Sequence, residues 1–309
     1  MARARAYRPR RSCLAVPGSS RRFIDKAQGL ACDEFFLDLE DAVAPAAKGP
    51  ARQNVIEALN AGDWGGKLRA VRINDASTGW AHRDVIDVVS AAGPRLDVIV
   101  LPKVTGPAHI TWLDLLLTQV EREVGHEVGR IGIEAQIEDA SGLIAVDAIA
   151  AASPRLEALV FGPADFMASL GMRSLQVGVP PADYVGDAFH YPLMRMLLAA
   201  RANGLQVIDG PYAKIADLAG LTRAAASVAA LGFDGKWAIH PGQIDALNEA
   251  FTPSADEYER AERIIEAYRH HTEHEQRGAA ALDGEMIDEA TRKLALATVQ
   301  KGRAAGLST

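Results

Sequence analysis

Eight short β-rich runs recur along the chain, each followed by an Ala-rich segment of helical spacing, and this alternation limits the fold more than any other feature. The runs are Ser12–Pro17, Glu34–Glu40, Leu68–Asn74, Asp97–Lys103, Gly132–Glu138, Leu156–Gly162, Leu205–Asp209 and Lys236–His240. Segments such as "RQNVIEALNAG" and "YPLMRMLLAARANG" lie between them, and the second stops at Asn203-Gly204. Eight βα units in sequence predict an α/β chain closed as a (β/α)8 TIM barrel. A chain of 309 residues, 49% hydrophobic and 24% charged, is long enough for this as a single unit. The expected organisation is a basic arm over 1–11, a barrel over 12–253 and a C-terminal helical extension over 254–309.

Nearly every run ends in polar residues: Pro17-Gly18, Asp38 to Asp41, Arg72 and Asn74, Lys103, Glu138, Asp165, Asp209-Gly210 and His240-Pro241. In a barrel these ends converge on one face, where chemistry sits. The stretch "EFFLDLEDAV" places Asp38, Glu40 and Asp41 there. Buried carboxylates are costly unless paired or near a metal, so a cation or Arg72 is expected beside them.

Net charge −7 argues against nucleic acid, and no apolar run reaches the roughly 18 residues of a membrane span. Cys13 and Cys32 form no metal or redox spacing and read as reduced thiols of a cytoplasmic protein. "GDWGGKL" lacks the spacing of a phosphate loop, and "RHHTEHE" reads as an exposed helix face.

Glu138 and Asp165 follow apolar strands in successive units and are the expected metal ligands. Two carboxylates with open positions suit Mg2+, with Mn2+ as a substitute. The alternative is that both simply pair with nearby basic groups. Arg72 can hold a carboxylate or enolate oxygen through its planar fork, or pair with Glu40 or Asp41. Lys103 could form a Schiff base if desolvated, but so many acids favour an electrostatic role. Arg22 and Lys26, on the helix after Gly18-Ser19, suit phosphates.

"VPGSSRRFIDKA", "FFLDLEDAV", "AVRIND", "VIVLPKV", "IEAQIEDASG", "FGPADF", "GLQVIDGPY", "GKWAIHPGQI" and "DGEMIDEA" occur in the order found in the citrate lyase β-subunit-like family of CoA-ester lyases. The chain resembles that family from about Ser12 to its last helix, and most of all its malyl-CoA/β-methylmalyl-CoA lyase branch. The resemblance implies Mg2+-dependent cleavage of a 3-hydroxyacyl-CoA, such as malyl-, β-methylmalyl- or citramalyl-CoA, to an acyl-CoA and glyoxylate or pyruvate. It implies Glu138 and Asp165 as metal ligands and Arg72 facing the 2-oxo acid. Asp41, with Glu40, would hold a water on the metal or orient Arg72, and CoA phosphates would lie near Arg22 and Lys26. Asp288, in "MID", would act as acid/base in a neighbouring subunit's site, within a homotrimer or homohexamer. Competing expectations are a malyl-CoA thioesterase, a citrate lyase β subunit, and a non-catalytic CoA-binding or assembly protein.

Overall fold

The computed structural model describes residues 7–179, 184–274 and 278–308. The barrel unit runs β1 (Ser12–Pro17), α1 (Arg21–Gln28), β2 (Glu34–Asp38), α2 (Lys48–Ala61), β3 (Leu68–Arg72), α3 (Ala81–Ala92), β4 (Val98–Leu101) and α4 (Pro107–Glu123). It continues with β5 (Gly132–Ile137), α5 (Ala140–Ile144), α6 (Val146–Ala150), β6 (Leu156–Phe161), α7 (Pro163–Ser169), α8 (His190–Ala202), β7 (Gln206–Asp209), α9 (Leu218–Leu231), β8 (Gly235–Ala238) and α10 (Ile244–Ala250). The eight strands pair in chain order and close, β8 against β1, all parallel. This is the expected barrel. Its strands are mostly shorter than the expected runs, because their polar last residues leave the ladder to line the mouth.

Strand alternation sorts the interior into layers. The middle is apolar, with Cys13, Phe36, Ala70, Val100, Val160, Ile208 and Trp237 packed together. The floor is charged. Arg10, fully buried, donates through Nε to Glu134 at 2.7 Å and Glu34 at 3.1 Å, and through Nη2 to Glu157 at 2.6 Å. Its Nη1 bonds Gln206. Gly235 is required here, since a Cβ would collide with the Arg10 carbonyl. Arg11 pairs with Asp33 at 2.7 Å. The last two residues of the basic arm are therefore built into the barrel unit. Cys13 and Cys32 are both free and buried.

A second compact unit takes in the chain from Glu249 onward together with the described residues 7–9. It holds α11 (Ala255–His274), β9 (Ala280–Leu282), β10 (Glu285–Ile287) and α12 (Glu289–Ala304). Tyr258 and Ala261 of α11 pack on Ala295 and Val299 of α12. Gly302 allows the close approach, because a Cβ there would strike the Tyr258 ring. The Gly-containing loop expected from sequence is an antiparallel hairpin, turned by Asp283 and Gly284 with φ of 52° and 83°. Asp-Gly supplies the two left-handed residues that such a turn needs. No helix among the described residues is long and apolar enough to cross a membrane.

Candidate active site

Asp38 ends β2 on the same face as Phe36 and points into the barrel mouth. Its carboxylate accepts Nε and Nη2 of Arg72, each at 2.7 Å. It also accepts the backbone N–H of Glu40 at 2.9 Å and of Ala42 at 3.1 Å. Burial pushes the Asp38 carboxyl up, but the Arg72 guanidinium and these donors outweigh it and hold it below the usual carboxylate range. The guanidinium lies 5.7 Å from the centre of the Phe36 ring and 5.3 Å from that of Trp237. Its remaining nitrogen, Nη1, lies 3.1 Å from Glu40 and 3.5 Å from Gln136. Thus Arg72 is oriented by Asp38, with Glu40 assisting. Asp41 stands more exposed and nearer Lys103.

The loop carrying Glu40 and Asp41 is pinned from below. The Lys48 ammonium donates to the carbonyls of Leu39 and Glu40, both at 2.7 Å. Glu40 in turn bonds the Lys103 ammonium, which lies 3.5 Å from Asp41 and 3.5 Å from Asp165. Burial would lower the Lys103 pKa, but the Glu40 hydrogen bond and the surrounding carboxylates raise it above the ordinary value. A lysine held this firmly protonated is a poor amine nucleophile, which opposes a Schiff base.

Glu138 follows β5 on the inward face shared with Glu134 and Gln136. Its Oε1 accepts the Lys103 backbone N–H at 2.7 Å and its Oε2 accepts Gln136 Nε2 at 2.6 Å. Gly162, after β6, leaves the space that the Glu138 carboxylate fills. Burial, reinforced by the neighbouring Glu40 charge, pushes the Glu138 carboxyl up to about 8. Asp165 projects from the first turn of α7. Glu138, Asp165, Lys103 and His109 line one cleft of about 460 Å3.

A divalent cation fits this pair chemically. The donors are all oxygen, Glu138 is buried among like charges, and the open cleft leaves room for waters and substrate oxygens. Among the described residues no set of three or more His, Cys, Asp or Glu converges for a metal, so the protein side would supply two ligands.

The structure thus brings together Arg72, Glu40, Asp41, Glu138 and Asp165. It leaves Arg22 and Lys26 exposed on α1, and neither is among the residues lining the cleft. Asp288 lies in the second unit and caps α12. Its carboxylate accepts the Thr291 N–H at 2.9 Å and hydroxyl at 3.0 Å, which lower its pKa. Asp38 was expected at the mouth but not singled out as the holder of Arg72, and Gln136 and His109 were not anticipated there. Asp38 and Gln136 follow from strand alternation, two residues along from Phe36 and Glu134. His109 lines the cleft, and its Nδ1 has no hydrogen-bond partner among the described residues. Its position in the first turn of α4, just past the end of β4, was the available signal.

The family model described as HpcH/HpaI aldolase/citrate lyase matches residues 11–241. An L-malyl-CoA/beta-methylmalyl-CoA lyase from Cereibacter sphaeroides is 39% identical over 95% of each chain. A (3S)-malyl-CoA thioesterase from the same organism is 36% identical, over 96% of this chain and 95% of that one. Among solved structures, the protein CitE from Mycobacterium tuberculosis in complex with magnesium, acetoacetate and coenzyme A superposes with a TM-score of 0.73. It is 29% identical and the match covers 97% of this chain and 98% of that one.

Proposed function

We propose that this chain, which belongs to the HpcH/HpaI aldolase/citrate lyase family, is a Mg2+-dependent lyase of CoA esters. It would split a 3-hydroxyacyl-CoA of the malyl-CoA, β-methylmalyl-CoA or citramalyl-CoA type into an acyl-CoA and a 2-oxo acid. The observation that carries this reading is the meeting of Glu138, Asp165 and Arg72 at one barrel mouth. The similarity to a named lyase along almost the whole chain supports it.

Glu138 and Asp165 would hold the cation, which when bound supplies Lewis-acid stabilisation to the oxygens of the bond being broken. Arg72 is held on one edge by Asp38, and its Nη1, beside Glu40 and Gln136, is the nitrogen left to turn toward the substrate carboxylate. A planar, preorganised donor at that point stabilises charge as it develops on the departing acyl-CoA carbon and its oxygens. The Lys48 and Lys103 contacts keep the Glu40 loop and the Glu138 carboxylate in place beneath it. Arg22 and Lys26 are proposed to meet the CoA phosphates. Asp288, delivered by the second unit of a neighbouring copy in a trimer or hexamer, is proposed to exchange the proton at the acyl-CoA carbon. Bound to the Thr291 N–H and hydroxyl in this chain, it would have to shed those hydrogen bonds to do so.

The test is incubation with a panel of 3-hydroxyacyl-CoA esters, with and without EDTA, quantifying glyoxylate, pyruvate, malate and free CoA. Acyl-CoA and 2-oxo acid in equal amounts, lost with EDTA and restored by Mg2+, are expected. Activity that survives EDTA and is trapped on Lys103 by borohydride would overturn the reading. The thioesterase relative supports a second reading, in which malate and free CoA are the products instead.

A further inference from the structure

We infer that Lys103 is a tethered cation standing in for the divalent metal, so that its ammonium and the metal compete for one carboxylate cluster. The inference rests on the metal-binding reading of Glu138 and Asp165 given above.

Lys103 meets four carboxylates of the mouth. Its ammonium bonds Glu40 and lies 3.5 Å from both Asp41 and Asp165, while its backbone N–H reaches Glu138 at 2.7 Å. To do this it takes a left-handed backbone, φ 51°, which among the described non-glycine residues only Asp283 shares. Asp283 sits in a hairpin turn, where that conformation is expected, whereas a lysine in it costs on the order of 1 kcal/mol. The conformation aims the amide and the side chain of one residue at the same cluster. Strain of this kind persists only where the surroundings over-determine it.

The charges explain what the arrangement does. Arg72 is occupied by Asp38 and touches Glu40, and it pairs with neither Asp41 nor Asp165. The Lys103 ammonium is the positive group placed among them. Its side chain is one-third exposed, at 33%, on a flexible four-carbon stem. It can therefore swing outward while its amide stays on Glu138. A divalent cation held by Glu138 and Asp165 would sit beside this ammonium, two like charges sharing one set of anions. Whatever the ammonium gains from the cluster, the metal loses, by the reciprocity of linked binding. Lys103 thus keeps the mouth assembled before metal arrives, and sets the metal affinity below what the bare carboxylates would give.

The experiment is Mg2+ titration calorimetry and thermal melting of the full-length protein as wild type, Lys103→Met, Lys103→Gly and Lys103→Arg. Glycine adopts the left-handed backbone without strain, so its variant keeps the amide on Glu138 while removing the ammonium, and its Mg2+ affinity is read even where the methionine variant folds poorly. Removing the ammonium should tighten Mg2+ binding by about tenfold. It should also lower the metal-free melting temperature and enlarge the rise on adding Mg2+. Lys103→Arg, which keeps the charge, should stay within about threefold of wild type. Equal or weaker Mg2+ binding in the glycine variant, with wild type binding normally, overturns the role of Lys103 while leaving the metal site standing. Absence of saturable Mg2+ binding to the wild type overturns both.

Discussion

At Arg72 one edge of the guanidinium is committed to Asp38 and the other faces the mouth. A lysine at this position would keep the charge but, with a single nitrogen, could not meet both Asp38 oxygens in parallel and also reach the mouth. Arg72→Lys is therefore expected to lower turnover by roughly a hundredfold, with the folded, metal-binding state retained. Steady-state kinetics alongside a melting curve checks this, and near-normal turnover would contradict it. Glu138 makes the stability of the metal-free fold depend on pH. In the folded, metal-free protein its carboxyl loses its proton near pH 8, against an ordinary value of 4.5. The folded chain thus holds a proton that the unfolded chain has released, and stability without metal falls as pH rises from about 4.5 to about 8. A metal takes the ionised form, so below pH 8 Mg2+ binding should release a proton and weaken as pH falls. Calorimetry at pH 7 in buffers of different ionisation heat measures that proton. An observed heat that does not change with buffer would show Glu138 already ionised.

At the scale of elements, each strand acts as a ruler. In β2 the inward residues are Glu34, Phe36 and Asp38, and in β5 they lead from Glu134 through Gln136 to Glu138 just beyond. Floor, middle and mouth are thus set by a period of two residues. The floor depends on a residue that precedes β1. Arg10 sits among Glu34, Glu134 and Glu157, and without it three carboxylates would face one another out of water. Arg10→Ala should cost about 3–5 kcal/mol in unfolding free energy, the usual loss on breaking a buried ion pair from one side. Chemical denaturation measures it, with Arg11→Ala, a more exposed pair, as the comparison. A loss below about 1 kcal/mol would mean that Arg10 does not hold the floor together.

For the whole molecule, the proposed assembly makes a test that no single chain can pass alone. Asp288 caps α12, so Asp288→Ala would confound catalysis with a lost cap, worth about 1 kcal/mol. Asp288→Asn avoids this, because Asn caps well but cannot carry the proton. Asp165→Ala, at a half-exposed ligand, should also fold. Each variant alone is expected to be inactive. After co-refolding, mixed oligomers should regain activity from sites that pair an intact barrel with a neighbour's intact Asp288. Confirmed co-assembly without recovered activity would place Asp288 outside the reaction.

The sequence by itself determined the barrel, because eight apolar runs with helical spacers leave few other ways to bury that surface. It also marked Arg72, Glu138 and Asp165, since polar residues at the ends of buried strands converge once the strands close. The Asp-Gly hairpin was legible in its turn residues and passed over. What only tertiary structure decided is pairing. Asp38, rather than Asp41, holds Arg72, because Asp38 is still in register with β3 while Asp41 has left the sheet. Arg10 fills the floor although its neighbours in sequence read as a basic arm, for its three glutamate partners lie 24, 124 and 147 residues away. Lys103 meets four carboxylates through a backbone conformation that no pattern of residue types announces. Ion pairs in a barrel join residues distant in sequence, and local periodicity carries no information about which of them will meet.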